Sequence, residues 1–155
     1  MNISNIKMIY QATKHGDKGE DFKKYCNNKG STLTVIKSQN DEIFGGFTKC
    51  NWTNENNSYS YDDCAFLYSI ANKKTFNVIK PEKAIINYDI GYAFACFGNT
   101  NDWDGIYLFD EFLSDMQGYC NPKKLTEIYN LESEEDISSL GNFTVKEVEV
   151  FQIVS

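Results

Sequence analysis

Apolar and polar residues alternate in short runs along most of this chain, and Gly, Asn, Asp and Lys break the runs every few residues. Alternation with period two marks a strand with one buried face, whereas spacing at i, i+3, i+4 marks a helix. The run "IKMIYQAT" predicts a first strand and "HGDKG" a turn. In "EDFKKYCNN" the period changes, and Phe22, Tyr25 and Cys26 fall on one helical face. A short helix is expected there, with Gly30, a little beyond it, as its stop. "STLTVIKS" and "IFGGFTKC" read as strands around the turn "QNDE", which places Ile36 and Phe44 in one hairpin. The pair Gly45–Gly46 inside the second of these strands predicts a bulge or a close backbone approach.

"NWTNENNSYSYDD" is polar and reads as a loop, while "CAFLYSI" is a continuous apolar run, as expected of a buried sandwich strand. "ANKK" turns the chain, "TFNVI" returns it, and "AIINY", "YAFACFG" and "IYLFDEF" add further strands. Residues 113–142 are less regular, and their acidic run "ESEED" (Glu132, Glu134, Glu135, Asp136) reads as a solvated loop rather than a contact for a basic partner. In the closing "FTVKEVEVFQIV", Phe143 and Val145 share one parity, Val148 and Val150 the other, and Phe151 and Ile153 return to the first. These slips predict a bulge near Lys146–Glu147 and a second near Val150. Many short strands with one early helix predict a mainly β fold with some α (α+β). The expected arrangement is a two-layer antiparallel β-sandwich flanked by short helices. No repeat, Pro-rich linker or composition break divides residues 1–155, so a single domain is expected, long enough for a sizeable core.

Composition narrows the function. Hydrophobic residues make up 41% and aromatics 15%, which excludes a disordered segment. The net charge is −7 and all 15 basic residues are Lys. Arg is the preferred reader of phosphates and guanine edges, so an acidic, Arg-free domain is a poor binder of nucleic acid or of an anionic membrane surface. The N-terminus lacks the apolar run of a signal peptide, and no stretch reaches the length of a membrane-spanning helix. Cys26, Cys50, Cys64, Cys96 and Cys120 contain no CxxC, and His15 stands alone, so zinc-ligand spacing is missing. An odd cysteine count without a framework points to reduced thiols in the cytosol. The sequons beginning at Asn2, Asn51, Asn56 and Asn142 read as chance in an Asn-rich chain.

One stretch invites a metal reading. In "NTNDWDGIYLFDE", Asp102, Asp104, Gly105 and Glu111 fall on EF-hand positions. Thr100 stands where the first Asp ligand belongs, Leu108 offers no side-chain oxygen, and the flanks read as strands, not helices. A polar hairpin turn fits better, with a weak non-EF cation contact at Asp102 and Asp104 left open. A Cys/His nucleophile through His15 competes with a solvated turn histidine. The cysteines in "CAFLYSI" and "FACFG" read as small core hydrophobes. "IFGGF" matches no phosphate-binding glycine motif, and 22 acids neither exclude nor argue for a facing carboxylate pair. No catalytic, cofactor-binding or metal residue is assigned.

The string "TKHGDKGEDFKKYCNNKGSTLTVIKSQNDEIFGGFTKCNW" resembles the TLDc domain family. Gly16, Phe22, Gly30, Leu33, Phe44, Gly45, Gly46 and Trp52 stand in the places of that family's motifs, and Phe66 in "YDDCAFLYSI" continues the match. "KPEK" and the closing strand also fit. "GYAFACFGNTNDWDGIYL" departs by replacing glycines with Ala95, Cys96 and Phe97, and His15 and Asp17 replace the usual early-turn residues. The resemblance implies a β-sandwich with short flanking helices and no agreed catalytic residue or cofactor. It also implies a link to oxidative-stress resistance. Family members bind the cytosolic catalytic sector and peripheral stalks of the vacuolar-type proton ATPase and affect its assembly. The expected function is a non-enzymatic interaction module, cytoplasmic and recruited to endomembranes by that partner. The competing expectation is a thiol-based antioxidant protein or enzyme acting through Cys26, which follows Lys23 and Lys24. A third is a domain that only positions others, although Met1 and the terminal strand fit a complete, minimal chain.

Overall fold

The alternating runs pair into two antiparallel sheets in a computed structural model that describes residues 3–55, 58–88, 96–98, 105–108, 118–120, 125–133, 136–137 and 142–155. The first half supplies β1 (Asn5–Gln11), α1 (Ala12–His15), α2 (Gly19–Cys26), β2 (Thr32–Ser38) and β3 (Ile43–Thr48). Then come β4 (Ser58–Ser60), β5 (Phe66–Ser69), β6 (Lys74–Asn77) and β7 (Ile85–Asn87). β8 (Ile106–Leu108), β9 (Gly118–Cys120), β10 (Asn142–Phe143) and β11 (Val145–Val154) complete the chain. The larger sheet has six strands in the order β1-β11-β2-β3-β5-β6, so the last strand lies between the first two strands of the sheet's sequence order. The smaller layer is made of the β4-β7 pair and the set β10-β9-β8, joined where Phe97 bridges Ile85 on one side and Ile106 on the other.

The hairpin register places Ile36 directly opposite Phe44, as the pattern predicts. The predicted bulge also appears, as a register shift between Val145 and Glu147 against β2. The second irregularity falls on the neighbouring strand: β1 shifts between Met8 and Tyr10 opposite Phe151 and Val150, while β11 keeps register with β2.

Between the layers lies a core of aromatic rings. Trp52 is fully buried, edge-on to Phe22 at 5.8 Å and to Phe97 at 5.6 Å. Its indole N–H donates to the Thr32 hydroxyl at 3.0 Å, so a buried polar group is satisfied. Phe44 meets Phe143 edge-to-face from the opposite layer at 5.2 Å. Gly46 is required here, because a Cβ would stand 2.7 Å from the Phe97 ring.

Several expectations are corrected. "NWTNENNSYSYDD" contains β4, which pairs with β7; three half-buried polar residues carry no periodic signal. The segment after β1 enters a four-residue helix, α1, too short for a helical period to show. α2 ends at Cys26, and Asn28, with φ 59°, takes the left-handed turn before Gly30 does. Gly30 instead starts the entry to β2, its N–H donating to Asn51 Oδ1 at 2.8 Å. Residues 113–142 include β9. His15 is half-buried rather than solvated: its Nδ1 accepts from the Gln11 N–H at 3.0 Å and its ring lies 4.3 Å from Tyr25. Asp136 is not solvated either. It is 7% exposed, accepts from the N–H groups of Glu132 and Ser133 at 2.8 and 2.9 Å, and pairs with Lys74 at 3.2 Å. Glu134 and Glu135 lie outside the described residues.

Candidate functional site

β2 inverts the usual assignment of faces. Thr32, Thr34, Ile36 and Ser38 point into the core, and Leu33, Val35 and Lys37 point out. Register carries this outward face across neighbouring strands. One row reads Phe151, Leu33, Phe47 and Phe66; the next reads Glu149, Val35, Gly45, Tyr68 and Thr75. The outer face of the six-stranded sheet is therefore apolar at its centre.

The centre is also hollow. Gly45 contributes no side chain, and any Cβ there would run into the Thr34 carbonyl oxygen. This is the close approach that the glycine pair predicts. Tyr68 lies over the gap, and its hydroxyl donates to that same carbonyl at 2.9 Å. Burial, with a smaller contribution from Glu149, holds its phenol pKa above the ordinary value, so Tyr68 stays a neutral donor. The result is an open trough of about 610 Å³, lined by Leu33, Val35, Ile43, Phe66 and Tyr68, with Ile70 exposed at its end. Phe66 forms one wall by stacking on Phe47 at 5.1 Å. Lys73 and Lys74 border the trough on the β6 side. On the β11 side, Glu147, Glu149 and Lys37 line a smaller hollow that shares Val35 and Ile43 with it.

The family-motif residues divide between the two faces. Phe22, Phe44, Gly46 and Trp52 build the closed core, while Leu33, Gly45 and Phe66 shape the trough. Gly16 has φ 112°, and its carbonyl accepts from the Tyr10 hydroxyl at 2.6 Å. Cys26 is fully buried; burial raises its thiol pKa far above the ordinary value, and Lys23 and Lys29 offset this only in part. A thiol held neutral and covered is the opposite of a reactive one. Asp102 and Asp104 lie outside the described residues, as do Glu111 and the side chain of Cys120. Among the described residues, Asp62, Asp63 and Cys64 are the group whose ligand atoms converge. Asp62 already accepts from the Thr48 hydroxyl at 2.5 Å and from the N–H groups of Lys49 and Cys64, both at 2.8 Å. The Lys49 ammonium pairs with Asp63 and lies 3.8 Å from the Cys64 sulfur, so a cationic group already serves this cluster.

A family model for the TLDc domain matches residues 1–154. The chain belongs to the TLDc domain family. No curated protein gives a significant match. Within this TLDc domain no helix among the described residues is long and apolar enough to cross a membrane. The trough residues were missed as a site by sequence reasoning, although their signal was present. Leu33 and Val35 of "STLTVIKS" occupy the positions that alternate with Thr32 and Thr34, while Ile36 shares the threonine parity.

Proposed function

We propose that this TLDc domain acts as a single-domain, non-enzymatic interaction module. Its partner is the cytosolic part of a vacuolar-type proton ATPase, and its contact surface is the outer face of the six-stranded sheet. One observation carries the reading: β2 buries threonines and turns Leu33 and Val35 outward onto an uncovered trough. Apolar surface gathered in one concave place favours an occupant that removes it from water.

The occupant proposed is an amphipathic helix of the peripheral stalk. From β11 to β6 the trough and the smaller hollow beside it together cross four strand spacings, about 19 Å, the length of about thirteen helical residues. The β11 side carries Glu147 and Glu149 beside one lysine, Lys37, and the β6 side carries Lys73 and Lys74, the latter paired with Asp136. A helix with an apolar stripe, basic at one end and acidic at the other, matches that surface. Binding shifts the balance of assembled and dissociated ATPase only as far as the module's affinities for the two states differ. A role in oxidative-stress resistance follows through that partner. The test is affinity capture from cytosolic and membrane fractions that preserve the pump. Salt-resistant enrichment of catalytic-sector or stalk subunits supports the reading, and their absence beside an intact pump rejects it.

A further inference from the structure

Six of the 15 lysines fall within residues 1–30, beside only three acids, whereas the rest of the chain is strongly acidic. The fold gathers four of the six. Lys7 comes from β1, Lys14 from α1, Lys24 from α2 and Lys29 from the turn after it, and all line one concavity of about 340 Å³. His15 and Tyr25, with rings 4.3 Å apart, form part of its wall. No carboxylate is among its lining residues. Among the described residues, none of these four lysines enters an ion pair, although Lys37, Lys49, Lys74 and Lys146 elsewhere all do. Lys24 instead lies 5.5 Å from the centre of the Tyr25 ring. Because Nδ1 of His15 accepts the Gln11 N–H, its Nε2 is the nitrogen left to donate.

We propose that this pocket binds a compact polyanion, a phosphate group carrying two or more charges. Like charges that converge without a counter-ion repel one another, and a bound anion converts that repulsion into attraction. Lysine binds phosphate as a mobile point charge and needs no fixed fork geometry. The volume falls at the small end of ligand pockets, about 300–1,000 Å³. Four cations from four separate segments can surround a compact anion, whereas an extended acidic peptide calls for a row. The acidic remainder of the chain repels nucleic acid. The phosphate can be free in solution or carried on a lipid headgroup, since the pocket sees the same chemistry in both. This inference does not depend on the trough.

The experiment is calorimetric titration of the full chain with sodium tripolyphosphate at low salt. A double variant, Lys14→Gln with Lys24→Gln, is compared with a control of equal charge change, Lys80→Gln with Lys146→Gln. All four lysines are exposed, so matched unfolding midpoints confirm that both variants fold. Saturable binding at one site is expected, weakened about tenfold or more by the pocket pair and within about twofold of wild type in the control. Sedimentation with phosphatidylcholine vesicles containing phosphatidylinositol bisphosphate separates the sources. Vesicle binding that the pocket variant loses and tripolyphosphate displaces assigns a headgroup. Tripolyphosphate binding without vesicle binding assigns a free phosphate compound. Absence of saturable binding overturns the proposal, as does equal weakening by both variants. So does pocket-dependent binding of a polyglutamate peptide without any binding of tripolyphosphate.

Discussion

The two faces of the six-stranded sheet are built by the same strands yet come to opposite ends. On the inner face, Trp52, Phe22, Phe44 and Phe97 interlock edge-to-face under a second layer, and Gly46 exists to admit a ring. On the outer face, Leu33, Val35 and Phe66 are only half covered, and Gly45 exists to let Tyr68 lie flat. The difference teaches that a glycine pair in one strand can serve two purposes at once. One glycine closes a core, and the other opens a trough.

The contrast is broken most directly by exchanging ring for methyl on each side. Trp52→Ala is expected to destabilise the fold by about 3–5 kcal/mol, because it empties the core and leaves the Thr32 hydroxyl without its donor. Phe66→Ala, on the outer face, is expected to lose about 1 kcal/mol, since only part of the ring leaves water. Urea unfolding of both variants checks the ratio, and equal losses would mean that the two faces are equally packed. The glycine pair gives the next effect. Gly45→Ala sets a Cβ against the Thr34 carbonyl, a backbone atom that cannot rotate away. A loss of roughly 1–3 kcal/mol is expected, together with displacement of the Tyr68 ring, visible as a change in tyrosine fluorescence or near-UV dichroism. Tyr68→Phe removes only the 2.9 Å hydrogen bond. It is expected to lower stability by about 0.5–1.5 kcal/mol while leaving the trough's shape unchanged, which a denaturation midpoint can resolve.

The smallest effect concerns the rim. Burial works to raise the Asp136 carboxyl, but hydrogen bonds from Lys74 and from the Glu132 and Ser133 N–H groups prevail and hold its pKa below the ordinary range. A lowered folded-state pKa contributes stability that is present above the unfolded value, about 3.9 for Asp. That stability is lost as pH falls through the folded value. Wild type is therefore expected to weaken below about pH 4 more steeply than Asp136→Asn. Parallel acid-unfolding curves would remove Asp136 from the account of how Lys74 is held at the trough's edge.

Much of this fold is legible in the chain. A β-rich run marks β2, the run around the glycine pair marks β3 and a continuous apolar run marks β5, the three-residue spacing between Val145 and Val148 marks the bulge, and Phe22 with Cys26 marks the buried face of α2. Local pattern fails where length or distance decides. α1 spans four residues and β4 three, both too short to establish a period. Asp136 looks like its solvated neighbours until residue 74, far away in sequence, supplies an ammonium. Alternation also shows which residues of β2 share a face but not which face the second layer covers. Hydrophobicity alone would bury Leu33 and Val35 rather than Thr32 and Thr34. The lysine pocket is illegible for the same reason, because its four cations come from separate positions that only the fold brings together.

The outer face is the centre of the functional account, and one measurement reaches it most directly. A Leu33→Ser, Val35→Ser double variant, confirmed as folded by its unfolding curve, is titrated beside wild type against purified peripheral-stalk subunits of the proton ATPase. Loss of affinity by about tenfold or more is the expected result, since these two side chains are the trough's apolar lining from β2. Undiminished binding by the folded variant would contradict the account and move the contact off this face.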